Sequence, residues 1–539
     1  MKHYLSKSKL ISGWQCPKRL WLELNEPDEK IISAATQASF DVGHRVGAAA
    51  QRQFPNGILI EHDTELSKAL RQTDQLLAEP GPVTLFEATF QFDGILIRAD
   101  VLIRNEAGQI RLIEVKASTS VKDYHLNDCA IQLWVLNQLG LNVVRVDLAY
   151  INNKFVYPGN GDYAGLFVYK NVTAEARTLQ PTVPRLINEL REVLDAGEPE
   201  VPMGAQCTRP FECPYIDYCT RAQHGPDPDW PVSWLPGGRT LHNKLREHGY
   251  RDIRDIPAGT LSHRHAEWAR RLTVAGTPEL RPAAAEELRQ LGWPRYYFDF
   301  ETMAPAVPLF AGTRPYETQA FQWSCHIEQA DGRLEHCEFL ANSGKGGATD
   351  GGAGSVAGGG FIGEADGRAV NEASGRAGRT DANLQPPMRP CAEALITALG
   401  DTGPIFMYTG YERSVINRLK ELCPDLAAPL EAITERLYDL HPVTRANYYH
   451  PDMHGSWSIK KVLPTVAPDL SYEGLEIVSV GTDAEVAFVE MIDAATAEDR
   501  AEELRAALLR YCKLDTEAMV RLAKFLEGRA DLNQGVEPI

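Results

Sequence analysis

No apolar run in the sequence approaches the roughly 20 residues that a helix needs to cross a bilayer. The first ten residues, Met1 to Leu10, are polar in character and contain no hydrophobic segment of the signal-peptide type. Both absences argue against a membrane or exported protein. We therefore expect a cytoplasmic location and no membrane partner.

Positive charge is also scarce. Lys and Arg number 55 against 73 Asp and Glu, which gives a formal net charge of -18. Proteins that coat nucleic acid need basic residues to neutralise phosphates, so this balance argues against such a coat. It does not exclude a nuclease, because a nuclease gathers carboxylates around divalent metals and needs only a local basic channel.

The paired Cys-x-x-Cys spacing that is usual in zinc sites is missing as well. The chain has 10 cysteines, and a reducing compartment disfavours disulfides between them. Six are scattered singly, and their simplest interpretation is as small buried apolar residues. These six are Cys129, Cys325, Cys337, Cys391, Cys423 and Cys512.

The length of 539 residues predicts about three or four folding units, at roughly 150 residues each. Helical and strand periods alternate over 1–222, and a second α/β pattern covers 292–530. Residues 223–291 are mostly helical in pattern and form either a helix-hairpin-helix-like connector or a simple linker. Gly, Ala, Ser and Asp dominate 342–390, which predicts a disordered surface insertion. The expected fold class is α/β, multidomain.

Two neighbouring predicted strands carry Asp100, Glu114 and Lys116. The segments ATFQFDGILIRADVLIR and GQIRLIEVKAST predict a hairpin or meander, with Asp100 at the end of an apolar strand. The strand period of two places Glu114 and Lys116 on one face. Phosphodiester hydrolysis needs oxygen ligands for magnesium or manganese and a cation near the attacked phosphate. These residues supply both, although such charges also form ordinary cross-strand ion pairs.

This arrangement resembles the PD-(D/E)xK nuclease superfamily, in its RecB-like branch that includes CRISPR-associated nucleases. The resemblance implies that Asp100 and Glu114 bind metal and that Lys116 positions water or stabilises the transition state. It also implies that His44, on a predicted helix, completes the metal site. Gln132 matches the Gln of a Gln-x-x-x-Tyr motif, in which Leu136 stands at the Tyr position.

Four cysteines bracket this region. Cys16 stands in WQCPKRLWLE, and Cys207, Cys213 and Cys219 stand in GAQCTRPFECPYIDYCTR. Thiolates from the two ends of a domain can bind iron-sulfur or zinc, and the missing Cys-x-x-Cys spacing favours iron. One cysteine before the core and three after it resembles the cluster of RecB-like nucleases. That resemblance implies a 4Fe-4S cluster, with zinc as the alternative.

A third set of residues lies in the second half. Asp299 and Glu301 share one face of a predicted strand, and Tyr511 and Asp515 are four apart on a predicted helix. Several carboxylates and an aromatic hydroxyl suit two-metal phosphoryl hydrolysis. The same short patterns also arise by chance on ordinary strands and helices.

The order of these residues resembles the DnaQ-like exonucleases with a ribonuclease-H-like fold, in the variant that ends on Tyr-x-x-x-Asp. The middle motif departs from that family, because Glu412 stands in the acidic position of IFMYTGYERSVINRL. Asp439, in RLYDLHPV, is the alternative third metal ligand. The segment YYHPDMHGSWSIKKVLP, with Lys460 and Lys461, is interpreted either as a strand-contacting loop or as a solvated turn.

The whole pattern resembles a bacterial family that combines RecB-like and DnaQ-like regions and is known mainly as a domain of unknown function. That family has no established biological role. The hypothesis from the candidate sites is hydrolysis of DNA, in single strands or at ends and by exonuclease action, with RNA as another substrate. Kinship suggests a helicase or CRISPR/repair partner. The competing hypothesis is a nucleic-acid-binding or redox-sensing scaffold in which one or both sites are inactive.

Overall fold

The computed structural model describes residues 4–60, 65–341, 386–472, 474–475 and 477–529. The chain divides into two compact units, Met1–Pro226 with Pro305–Tyr316 and Asp227–Ala304 with Glu317–Ile539. Both units combine strands and helices, so the prediction of a multidomain α/β protein is confirmed. Within the ranges just given, no helix has the length and apolar character needed to cross a membrane.

The first unit is built on a seven-stranded sheet. Its strands are β1 Leu5–Ser6, β2 Ile58–Leu59, β3 Val83–Phe92, β4 Ile95–Arg104, β5 Ile110–Lys116, β6 Val143–Ile151 and β7 Phe167–Asn171. Its helices are α1 Lys7–Gln15, α2 Pro17–Asn25, α3 Ala34–Gln51, α4 Leu66–Ala78, α5 Asp123–Gln138, α6 Thr173–Leu179, α7 Thr182–Ala196 and α8 Ile216–His224.

Strands β3, β4 and β5 form the predicted antiparallel meander. Asp93 and Gly94 join the first two strands and both have positive φ, as a two-residue hairpin turn requires. Helix α5 then crosses over to the parallel strand β6, since parallel neighbours need a long connection. Asp100 does not end its strand as predicted, because β4 continues to Arg104.

The β3–β4 pair is irregular beside Asp100. Glu87 has a φ of 54°, between the regular pairs Phe86 with Val101 and Ala88 with Ala99. Phe86 and Ala88 consequently pack into different hydrophobic clusters, although residues two apart on a regular strand share a face. This local reversal lies beside Asp100, an acidic residue of the first candidate site.

The second unit contains strands β8 to β14 and helices α9 to α18. The strands are β8 Glu279–Leu280, β9 Arg295–Met303, β10 Gln319–Glu328, β11 Leu334–Leu340, β12 Ile405–Met407, β13 Leu437–Asp439 and β14 Tyr448–Tyr449. The helices are α9 Gly238–Glu247, α10 Arg264–Ala275, α11 Ala283–Leu288, α12 Met388–Leu399, α13 Tyr411–Leu422, α14 Ala427–Glu435, α15 Leu440–Asn447, α16 Ile459–Val466, α17 Gly481–Ile492 and α18 Glu498–Leu526.

The main sheet of this unit has the strand order β11-β10-β9-β12-β13. The first three strands are antiparallel, and β12 and β13 run parallel to β9. Helix α18 packs against β9 and β10. This packing brings the predicted residues on β9, Asp299 and Glu301, close to those on α18, Tyr511 and Asp515.

The predicted connector shares a core with the second unit. Residues from Val232 to Leu288 pack in one hydrophobic cluster with side chains of β9, β12 and α18. Most of the predicted insertion 342–390 lies outside the described residues, and its last part forms the start of α12 at Met388.

Candidate active sites

Glu114 is the centre of the first candidate site. Its carboxylate is buried and accepts hydrogen bonds from Lys116 Nζ at 2.6 Å and Gln132 Nε2 at 2.5 Å. Lys7 Nζ donates to both oxygens, at 2.9 and 3.1 Å. The structure therefore brings together three predicted residues and adds a lysine that sequence reasoning missed.

Asp128 completes an alternating arrangement of charges. Lys116 Nζ lies 2.5 Å from Asp128 Oδ2, and Lys7 Nζ lies 3.2 Å from Asp128 Oδ1. Burial alone would raise the pKa of Glu114, but the ammonium groups of Lys116 and Lys7 hold it below its usual range. Burial raises the pKa of Asp128, and the charge of Glu114 raises it further.

Asp100 lies on the neighbouring strand. Its Oδ2 accepts a hydrogen bond from the backbone N–H of Val115 at 2.6 Å, just beyond the last β4–β5 pair, Val101 with Ile113. Removal from water raises the pKa of Asp100 to about 8, and the negative charges of Glu114 and Glu87 act in the same direction. Asp100 is therefore an acid whose charged form a nearby divalent cation would stabilise.

Helix α5 supplies both Gln132 and Asp128, which are four residues apart and share one face. That spacing is a sequence signal that could have identified Asp128. Leu136, one turn further on, is fully buried in the apolar core and takes no part in the polar cluster. Leu136, which stands at the Tyr position of the Gln-x-x-x-Tyr motif, is thus a core residue.

His44 is not brought to this cluster. It is exposed on α3, and that helix packs through Val46 onto the face of the sheet that carries Val101 and Ile113. Glu114 follows Ile113 on β5 and points to the opposite face. Among the described residues, His44, Asp100 and Glu114 do not form a group with ligand atoms within 4.8 Å of one another.

The oxygen atoms of the first site suit a hard cation. Gln132 Oε1 is buried without a hydrogen-bond donor, and an acceptor in that state carries a free-energy penalty. Together with the carboxylates of Asp100 and Glu114, it offers the all-oxygen ligands that magnesium and manganese take. These residue types fit the predicted magnesium or manganese.

All four predicted cluster cysteines line one cavity of the first unit. Cys16 lies between α1 and α2, Cys219 lies on α8, and Cys207 and Cys213 lie in the segment that precedes α8. The walls are largely apolar, with Leu22 and Ile216 among the lining residues. The structure thus brings these four cysteines, which are distant in sequence, to one cavity.

The sulfur atoms of this cavity are spread apart. No three of them fall within 4.8 Å of one another among the described residues, whereas zinc with bonds of about 2.3 Å brings its sulfurs to roughly 3.8 Å. Burial raises the pKa of Cys213 to about 11, and Cys16 and Cys207 raise it further while Arg19 lowers it. A charged metal group would supply the stabilisation that these thiolates need.

The second candidate site is a buried cluster of carboxylates. Asp299 and Glu301 project from β9, Glu412 lies in the first turn of α13, and Asp515 lies on α18. Burial raises the pKa of Asp299 and Glu301 well above their usual range, and the charge of Asp515 is the next cause for both. The structure thus brings the predicted acids together.

Glu412 belongs to this cluster more closely than Asp439. Burial raises the pKa of Glu412 to about 7, and Glu412 is among the groups that raise the pKa of Asp299, so the two carboxyl groups lie close together. Asp439 instead caps α15 and accepts from the backbone of Thr409 and His441, both at 2.9 Å. Of the two alternatives for the third ligand, the geometry favours Glu412.

Two tyrosines and a lysine border the acids. Tyr472, which sequence reasoning missed, donates to Asp515 Oδ1 at 2.5 Å. Lys460 Nζ lies 3.3 Å from the hydroxyl of Tyr511 and 2.7 Å from the carbonyl of Ser479. Lys460 lies on helix α16 rather than in the predicted loop or turn.

The second site also fits divalent cations. Burial raises the pKa of Asp515 to about 6, although Tyr472 and Lys460 counteract it. Glu412 Oε2 is buried without a hydrogen-bond donor. Four acids with raised pKa values and one nearby lysine leave a deficit of positive charge that bound metal would correct.

A protein-family profile described as "Domain of unknown function (DUF2779)" matches residues 296–353 and 364–458. The matched ranges include Asp299, Glu301, Glu412 and Asp439, while Asp515 lies beyond them. No curated protein matches the chain. The similarity to this family therefore lies mostly in the second unit and includes most acids of its candidate site.

Proposed function

We propose that the protein is a metal-dependent nuclease that hydrolyses phosphodiester bonds of DNA, in single strands or at ends, with RNA as the alternative substrate. The proposal places one hydrolytic centre in each unit. Magnesium or manganese would supply Lewis acidity and a metal-bound water, and the chain's own residues orient the metals and the phosphate.

The observation that carries the proposal is the buried acidic cluster of Asp299, Glu301, Glu412 and Asp515. Each of these acids has a raised pKa because it is removed from water. Clustered carboxylates of this kind cannot all ionise without cations. Such a cluster suits two-metal hydrolysis, in which the metals stabilise the attacking and leaving oxygens.

The first site supports the same chemistry with different parts. Asp100, Glu114 and Gln132 offer oxygen ligands, while Lys116 and Lys7 supply positive charge beside them. A lysine next to the metal ligands can stabilise charge on the attacked phosphate. This combination supports a PD-(D/E)xK-type centre.

The cysteine cavity supports an iron-sulfur cluster more than zinc. Its sulfurs lie too far apart for tetrahedral zinc without rearrangement, whereas a 4Fe-4S cluster is a larger group held by four thiolates. The backbone N–H of Gly204 lies 3.5 Å from Cys207 Sγ, and hydrogen bonds of this kind tune clusters. We assign the cluster a structural role.

The strand arrangement of the second unit supports the ribonuclease-H-like interpretation. Acids from β9, the N-terminal turn of α13 and helix α18 meet at one side of a mixed five-stranded sheet. This is the order in which the DnaQ-like resemblance places them. The proposal for an exonuclease-like centre follows from that agreement.

The test is hydrolysis of end-labelled single-stranded DNA and RNA with manganese or magnesium. We expect Lys116→Ala and Asp299→Asn each to remove the activity of one site, by about 100-fold or more. The double variant is expected to lose all metal-dependent hydrolysis. Lys154→Ala and Asp499→Asn, at exposed positions of each unit, are the matched controls and should retain wild-type rates.

Equal hydrolysis by the wild type and the double variant would contradict the proposal, because the activity would then come from a contaminant. Circular dichroism of all variants checks that they fold. The patterns of products from the two single variants would also show whether the two sites cut differently.

A binding scaffold with an inactive first site is the second candidate function. It is favoured by the contacts of Glu114, whose two oxygens are both occupied by nitrogen donors. In that case Asp299→Asn alone would abolish hydrolysis, and Lys116→Ala would have no effect. DNA binding measured with calcium in place of manganese would persist in both variants.

A further inference from the structure

Cys512 lies within the acidic cluster of the second unit, although the proposed hydrolysis makes no use of it. Its Sγ atom and one carboxylate oxygen each of Asp299 and Glu301 lie within 4.8 Å of one another. Cys512 is completely buried, and its thiol lies 3.9 Å from the carbonyl oxygen of Asp299. The sulfur therefore faces strand β9 and its carboxylates.

Helix α18 presents oxygen and sulfur together. Cys512 and Asp515 are three residues apart, so they lie on adjacent positions of one helix surface. Strand β9 faces this surface with Asp299 and Glu301. The cluster thus combines hard carboxylate ligands with one soft thiol.

A second observation indicates that a cation belongs there. Glu412 is 2% exposed, and its Oε2 has no hydrogen-bond donor. A buried carboxylate oxygen without a donor is costly unless a cation neutralises it. The carboxyl groups of Glu412 and Asp299 act directly on each other's pKa, so Glu412 lies beside the group that contains Cys512.

We propose that this site binds a thiophilic divalent cation, such as Zn²⁺ or Cd²⁺, through Cys512, Asp299 and Glu301. On binding, a metal–sulfur bond forms, the S–H bond breaks, and the proton passes to the buffer. The oxidation states of metal and sulfur do not change. Occupation by this cation excludes the magnesium or manganese that hydrolysis requires, and this regulatory part rests on the proposed function.

The ligand chemistry explains the selectivity. Magnesium takes oxygen ligands and keeps several waters, so it does not use the thiol. Zinc and related cations bind thiolate strongly. A site that combines carboxylates with one sulfur therefore binds these cations more tightly than it binds magnesium. Cys512 is the residue that distinguishes the two classes of cation. If Cys512 served only as a small apolar core residue, no metal–sulfur bond would form.

The test is ¹¹³Cd NMR of the full chain titrated with ¹¹³Cd²⁺. A site with one sulfur and several oxygens resonates far from a four-sulfur site, so any Cd²⁺ bound by the four cysteines would be distinguished from it. We expect a one-sulfur signal that is lost in Cys512→Ser and in Asp299→Asn. Cys391→Ser removes an equally buried thiol on α12 and should retain the signal.

Absence of the one-sulfur signal in the wild type, or its persistence in Cys512→Ser, would overturn the binding proposal. Circular dichroism reports on folding in every variant. This arm needs no hydrolysis, so it decides the inference even if the proposed function fails.

A second arm addresses regulation. We expect the Zn²⁺ concentration that halves manganese-dependent hydrolysis to rise about tenfold or more in Cys512→Ser, relative to the uninhibited rate of that variant. The two proteins compared, with Cys512 and with Cys512→Ser, both carry Lys116→Ala, so only the second site contributes to the measured hydrolysis. Equal zinc sensitivity would overturn the regulatory part. A wild type without hydrolysis would instead contradict the proposed function.

Discussion

Lys7 Nζ lies 2.9 Å from Glu114 Oε1, although 107 positions separate the two residues in sequence. Strand β1 pairs in parallel with β4 and places the start of α1 beside the central strands. Lys7 is the first residue of α1, and Cys16 directly follows its last residue. A helix of 9 residues, about 13 Å long, therefore links the first candidate site to the cysteine cavity.

Replacing Lys7 is expected to destabilise the metal-free protein. Lys7→Met removes an ammonium group that contacts both Glu114 and Asp128, which leaves two buried carboxylates opposite one lysine. Breaking a buried ion pair in this way costs about 3 kcal/mol. Manganese should restore part of the loss, because a divalent cation supplies the missing charge. Chemical unfolding with and without manganese measures both effects.

Lys9→Met is the matched control for this prediction. Lys9 lies two residues further along α1 and should be replaceable with a change below about 0.5 kcal/mol. A free energy of unfolding that is equally lowered in both variants would assign the effect to the helix rather than to the ion pairs.

The cysteine cavity should hold iron. Loss of that iron should disturb helix α1, which begins at Lys7. Anaerobically purified protein is expected to contain roughly four irons per chain and to absorb visible light. Cys213→Ser should lose both properties. Because Cys16 ends α1, exchange of amide hydrogens in α1 should become faster in that variant.

Cys129→Ser provides the control for the cluster, since Cys129 is also buried but lies in the apolar core. It should retain iron and slow exchange in α1. Zinc in place of iron in the wild type, found by elemental analysis, would contradict the assignment of the cluster.

The sequence predicted contacts that follow from local periodicity. The strand period placed Glu114 and Lys116 on one face, and their side chains are 2.6 Å apart. The helical period likewise placed Tyr511 and Asp515 together on α18. Periods of this kind depend only on local backbone geometry, so they can be read without knowing the fold.

The missed residues depend on contacts between distant segments. Lys7 reaches its site through the parallel pairing of a two-residue strand, β1, and Tyr472 reaches Asp515 from a segment that precedes α17. Neither belongs to a periodic pattern or a known motif spacing. His44 was predicted from a family motif, but the structure packs its helix on the other face of the sheet.

Metal-free protein is expected to lose stability as the pH rises from about 4 to about 7. The pKa of Glu412 is raised to about 7 and that of Asp515 to about 6, in both cases chiefly by burial. Between their ordinary and raised values the folded state binds more protons than the unfolded state. The free energy of unfolding therefore falls with increasing pH in this window, at about 1.4 kcal/mol per pKa unit.

Denaturant titrations with a chelator at about pH 5 and about pH 8 measure this loss, and manganese should reverse most of it at the higher pH. Glu412→Gln should flatten the dependence, because an amide does not ionise. Glu393→Gln, whose side chain is 52% exposed, should not. Stability that rises with pH in the metal-free wild type would contradict the buried acidic cluster.

Tyr472 is expected to set the pH at which the second site becomes active. Its hydroxyl donates to Asp515 Oδ1 at 2.5 Å, and this hydrogen bond counteracts the effect of burial on the pKa of Asp515. Tyr472→Phe removes the donor, so the pKa of Asp515 rises and the acidic limb of hydrolysis moves to higher pH by about one unit. The measurement is a pH profile of manganese-dependent hydrolysis in a Lys116→Ala background, where the first site does not contribute. Tyr438→Phe removes a comparable hydrogen bond, to Glu287, and should leave the profile unchanged. An equal displacement in both variants would mean that Asp515 does not control the acidic limb.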